Sequence, residues 1–71
     1  MGLIRLVCIK KLETNVKGEI VTVEPGSYWL MNEPVMWQSE FILWNEDFPE
    51  EQIVLSEYVL RLCFKWTQLR F

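Results

Sequence analysis

Lys17-Gly18-Glu19-Ile20-Val21-Thr22-Val23-Glu24-Pro25-Gly26-Ser27-Tyr28-Trp29-Leu30-Met31-Asn32 is the stretch whose reading decides the fold. Ile20, Val21, Thr22 and Val23 are all β-branched and suit a pleated, half-buried surface. Glu24-Pro25-Gly26-Ser27 follows. Proline presets φ near about −65° and glycine accepts a positive φ, which is the chemistry of a type II turn. Tyr28 to Met31 then return as a second strand. Residues 19–31 are therefore expected to form a central hairpin, with Gly18 opening it.

Outward from this stretch the pattern stays extended. Residues 3–11 read as a first strand, with Leu3, Val7 and Ile9 alternating with Ile4, Leu6 and Cys8. A strand apolar on both faces belongs in the middle of a sheet or under a cover. Lys10 to Asn15 read as a polar loop. On the other side, Asn32-Glu33-Pro34 breaks the strand and Val35-Met36-Trp37 reads as a short extended piece. Phe41-Ile42-Leu43-Trp44 is a continuous apolar run, read as a buried strand. Residues 45–52 read as a loop, in which Asp47, Pro49 and Glu50 have the spacing to start one short helical turn near residues 48–52.

Residues 53–66 fit two periods. As a strand they put Tyr58, Leu60, Leu62, Phe64 and Trp66 on one face. As a helix they make a stripe of Leu55, Val59, Leu62, Cys63 and Trp66 opposite Glu57, Arg61 and Lys65. The period-two fit is cleaner, and the strand is preferred. The sum is an all-β, small barrel of about five strands in one domain, residues 1–71, since barrel closure removes exposed sheet edges.

Composition narrows the function. The chain has 71 residues, is 51% apolar and carries four Trp, four Phe and two Tyr. A domain of this size hides only about 60% of the surface its unfolded chain exposes. Some of the apolar surface is therefore expected to be covered by a protein partner or by a second copy. There is no histidine, which removes the commonest general base and most nucleophile pairs and zinc sites. The three glycines stand far apart and form no phosphate-cradling loop. No enzyme, cofactor or metal is expected, and Glu46-Asp47 with Glu50-Glu51 reads as a solvated acidic loop.

The start of the chain lacks the pattern of a signal peptide, and no run approaches the roughly 20 apolar residues of a membrane span. Cys8 and Cys63 read as reduced core thiols of a cytoplasmic protein, with a disulfide between the terminal strands as the alternative. Residues 18–57 hold nine acidic residues and no Lys or Arg, while Arg5, Lys10, Lys11, Lys17, Arg61, Lys65 and Arg70 lie towards the two ends. Basic strands beside acidic ones explain this simply. An acidic face that competes with nucleic acid for a basic partner is the sharper reading. A net charge of −3 argues against a nucleic-acid track of its own.

Residues 17–29, Lys-Gly-Glu-Ile-Val-Thr-Val-Glu-Pro-Gly-Ser-Tyr-Trp, resemble the early strand and turn of SH3-like barrels. They are similar in particular to the photosystem I E-subunit family. In style the chain also resembles short, Trp-rich barrels of phages and mobile elements. The resemblance implies an SH3-like fold and assigns no functional residue. The resulting expectation is a non-enzymatic protein-interaction module that self-associates. An acidic inhibitor of a nucleic-acid-handling enzyme and a single-strand nucleic-acid binder are the alternatives. Tyr28, Trp29, Trp37, Trp44, Trp66 and Phe71 are the candidate partner-binding side chains, because Trp and Tyr dominate interface energetics.

Overall fold

The computed structural model describes residues 2–67. Its elements are β1 (Leu3–Cys8), β2 (Leu12–Val16), β3 (Glu19–Val23), β4 (Tyr28–Asn32), β5 (Glu40–Asn45), β6 (Gln52–Ser56), α1 (Glu57–Cys63) and β7 (Phe64–Trp66). The hairpin turn is Lys17-Gly18, where both residues hold positive φ, 52° and 86°. Two such residues between paired strands make a type I′ turn, whose twist matches the strands it joins. β2 and β3 pair across it from Val16↔Glu19 to Leu12↔Val23. Asn15 Oδ1 accepts a hydrogen bond from the Gly18 N–H at 2.9 Å. The polar loop expected over residues 10–15 is thus corrected: from residue 12 it is strand. The polar residues of Leu-Glu-Thr-Asn-Val concealed an alternation that turns Leu12 and Val16 onto the core.

The Pro25-Gly26 turn forms as read, with Gly26 at φ 94° and the Ser27 N–H donating to the Glu24 carbonyl at 3.2 Å. The strands on either side of it do not pair, which corrects the central hairpin. A type II turn splays its strands rather than matching their twist. β1 also takes the turn's backbone groups. The Cys8 N–H donates to Ser27 O at 2.9 Å, and the Gly26 N–H donates to Cys8 O at 2.8 Å. The turn therefore carries the chain from one sheet to another.

The larger sheet runs β6-β5-β4-β1-β7, antiparallel throughout. Laid flat, its four spacings of about 4.8 Å would hold the edge strands about 19 Å apart. Yet β6 and β7 are joined, without linker residues, by the seven-residue α1, which is only about 10 Å long. The sheet must curl, and it forms half of a barrel whose hollow is closed by α1 and the β2–β3 hairpin. This is the small all-β barrel expected: among the described residues, five strands make the curled sheet and two more the β2–β3 hairpin. Leu6, Trp29, Met31, Leu43 and Ile53 fill it, each at most 2% exposed.

Residues 53–66 are neither one strand nor one helix. Ser56 caps α1, its hydroxyl accepting from the Val59 N–H, and Glu57 pairs with Arg61 one turn on, at 2.8 Å. These local signals override the period-two pattern. Tyr58 and Leu62, expected on the buried strand face, are exposed, while Leu60 and Cys63 are buried. The helical turn expected near residues 48–52 is a single reverse turn, in which the Glu51 N–H donates to the Phe48 carbonyl at 2.8 Å. The helix lies five residues further on. Cys8 and Cys63 are both free and buried, and burial pushes the Cys8 thiol above its ordinary pKa.

Candidate interaction surface

The buried set is apolar side chains and two thiols, Cys8 and Cys63. Among the described residues no charged or polar residue is buried, and no group of three His, Cys, Asp or Glu side chains is gathered as metal ligands. The most distinctive part of the surface is the outer face of the five-stranded sheet.

Strand alternation builds that face. In β5, Phe41 and Leu43 point into the barrel while Ile42 is exposed and Trp44 half-buried. Register places Ile42 beside Val54 of β6, and Trp44 beside Leu30 of β4. Leu30 in turn faces Arg5, and Tyr28 faces Val7. Directly opposed side chains on one face touch. Val54, Ile42, Trp44, Leu30, Tyr28 and Val7 therefore form an apolar band across four strands.

One ion pair sits in the band. The Arg5 guanidinium lies 3.8 Å over the Tyr28 ring. It donates through Nε to Glu46 Oε2 at 2.7 Å and through Nη2 to Glu46 Oε1 at 2.8 Å. This two-pronged geometry is the strong form of the Arg–carboxylate pair. The hydrogen bond from Arg5 holds the Glu46 carboxyl below its ordinary pKa. The same bond raises Arg5. The cation is thereby neutralised where it stands, and the Tyr28 ring is held flat beneath it.

The six candidate aromatics separate. Tyr28 and Trp44 lie together on the outer band. Trp29 is 2% exposed, with its indole N–H donating to Ser27 Oγ at 3.0 Å, so it is core and is withdrawn as a partner contact. Its alternation partners Tyr28 and Leu30 take the surface instead. Trp37 stands at the tip of the β4–β5 connection. Val35-Met36-Trp37 is part of a turn rather than an extended piece, since the Gln38 N–H donates back to Val35 O at 3.1 Å. Trp66 is on the edge strand β7, beside a groove of about 450 Å³ that Met31, Phe41, Leu60, Phe64 and Arg61 also line. Phe71 lies outside the described residues. Sequence reasoning missed Arg5, Leu30, Ile42 and Val54. The continuous run Phe41–Trp44 hid which residues face out, and Arg5–Glu46, 41 positions apart, had no local signal.

Comparison with protein-family models, with curated proteins and with solved structures gave no match. No helix among the described residues is long and apolar enough to cross a membrane.

Proposed function

We propose that this chain is a non-enzymatic protein-interaction module on an SH3-like barrel, which docks a protein partner on the outer face of its five-stranded sheet. The observation that carries the reading is the apolar band from Val54 to Val7, exposed at Ile42, Val54 and Tyr28. Contiguous exposed apolar surface rimmed by polar residues marks protein contact sites. The absence of histidine and, among the described residues, of any buried charged or polar side chain supports a binding role over catalysis. The neutralised Arg5 supports a protein partner over nucleic acid, because phosphate tracks need uncommitted cations. Two free, buried thiols fit a reducing, cytoplasmic setting.

The test replaces Ile42 and Val54 together by Ser. Both side chains are exposed, so circular dichroism and Tm should stay close to the parent. A partner captured from cells in stoichiometric amount by the parent should be lost from the double variant. Equal capture by both proteins overturns the reading.

A second reading, an acidic inhibitor of a nucleic-acid-handling enzyme, is favoured by one observation. Glu19, Glu50 and Glu51, against Lys17 alone, line a common groove between the β2–β3 hairpin and the start of β6. Its partner would be basic, and the complex would weaken steeply with salt. A captured partner whose binding ignores salt removes this reading.

A further inference from the structure

The turn at Val35–Gln38 presents Met36 and Trp37 to solvent at 83% and 87% exposure. It is nevertheless built. One side chain fastens it on both sides: Gln38 Oε1 accepts from the Val35 N–H at 3.1 Å, and Gln38 Nε2 donates to the Glu40 carbonyl at 2.8 Å. A tryptophan on a pre-ordered turn loses little conformational freedom on docking, which is how an anchor gains affinity. Tryptophan is also among the residues most enriched at binding hot spots.

A receptor of matching kind opens beside it. β4 and β5 pair only at Trp29↔Asn45 and Leu30↔Trp44 and then part. The groove of about 450 Å³ lies at this opening, with Met31, Phe41, Leu60, Phe64 and Trp66 for walls. Pro34, three residues before Trp37, lines it as well. Trp37 itself does not fill it, being exposed.

We propose that this groove receives Trp37 of a second copy of the chain, and that the exchange is mutual in a two-fold dimer. Three observations favour a second copy. Knob and groove are neighbours on one surface, as a self-complementary two-fold interface requires. The knob segment, residues 33–40, carries Glu33 and Glu40 and no cation, whereas the groove is lined by Lys65 beside the internally paired Arg61 and Glu57, one net positive charge. The groove, at about 450 Å³, is larger than an indole, and Trp66, 58% exposed, is its accessible apolar wall. The inference rests on the reading of the chain as an interaction module, but it uses a different surface from the outer band.

Sedimentation of the full chain across micromolar concentrations tests it. The parent should dimerise. Trp37→Ala should raise the dimer dissociation constant by about thirtyfold per anchor, hence about a thousandfold for the pair, with the circular dichroism unchanged. Trp37→Phe should dimerise with an intermediate constant. Lys65→Glu should weaken the dimer, and Glu33→Lys with Glu40→Lys in the same chain should restore it. A parent that stays monomeric overturns the proposal. If such a monomer captures another protein through Trp37, the knob serves a heterologous partner and the second-copy proposal still falls. A dimer that survives Trp37→Ala but is lost with Ile42→Ser and Val54→Ser also overturns it, and leaves the interaction-module reading intact. Conversely, a Trp37-dependent dimer whose Ile42/Val54 variant still captures every partner sinks the outer-band reading alone.

Discussion

Gly26 sits at φ 94°, and a Cβ built there would meet nothing within 4 Å. Any cost of replacing it is therefore backbone strain and not collision. Gly26→Val should lower stability by about 1 kcal/mol or more, read from denaturant unfolding, because a β-branched residue resists positive φ. Lys17 presents the reverse case: a non-glycine residue already at φ 52°. Lys17→Asn should raise stability by about 0.5 kcal/mol, since Asn tolerates the left-handed region and is favoured in type I′ turns. Glu46 ties stability to pH. Its folded-state pKa is depressed by Arg5, so the pair stabilises the fold above the ordinary carboxylate pKa. That contribution is lost as pH falls through the lower folded value. The Tm difference between the parent and Glu46→Gln should be largest near neutrality and close on acidification. A gap that does not change with pH means the pair contributes nothing.

At the scale of the element, α1 shows what a chain can conceal. Its seven residues are too few for a helical period to stand out against the alternation of Tyr58, Leu60, Leu62, Phe64 and Trp66. The deciding signals were the cap and the pair, Ser56 and Glu57–Arg61. Ser56→Ala should cost about 0.5–1 kcal/mol, towards the low end because the cap bond is long at 3.4 Å. β-branched Ile20–Val23 and the Pro25-Gly26 turn were legible, because propensity and turn chemistry are local. Which strands pair was not, because a turn fixes the chain's reversal while partners as distant as Asn32 from Leu3 and Trp66 from Leu6 fix the place of β1 in the sheet. The same division holds for the surface. Aromatic clustering pointed to Tyr28 and Trp44, but only register could separate them from Trp29, one position along. Ile42 and Val54 become a site only when β5 and β6 are laid side by side.

Across the whole molecule, the curl of the sheet and the short α1 depend on each other. β7 adds only three residues, yet it buries Phe64 and pairs with Leu6, Val7 and Cys8. A chain ending at Cys63 should lose the sharp thermal transition of the parent, as monitored by near-ultraviolet circular dichroism. The same closure hides both thiols, with Cys8 1% and Cys63 5% exposed. A thiol reagent should label neither in the native state and both after denaturation. Labelling of native Cys63 at the denatured rate would show that α1 opens freely from the sheet.

The pairing of β1 with β7 also has a consequence for biosynthesis. Val7 is made long before Lys65, its partner across the ladder. At about 5–20 residues per second on the ribosome, the wait is about 3–12 s. Throughout it one side of β1 has no neighbour, and the inward faces of Leu6 and Cys8 lack the cover that Phe64 brings. Contacts between such distant positions also close slowly even in a finished chain. A ribosome that stalls before residue 64 would release a fragment with a bare edge and an uncovered apolar face. Such a fragment is a target for holding chaperones or for aggregation, so the interval between the making of β1 and of β7 is the one in which each molecule is at risk.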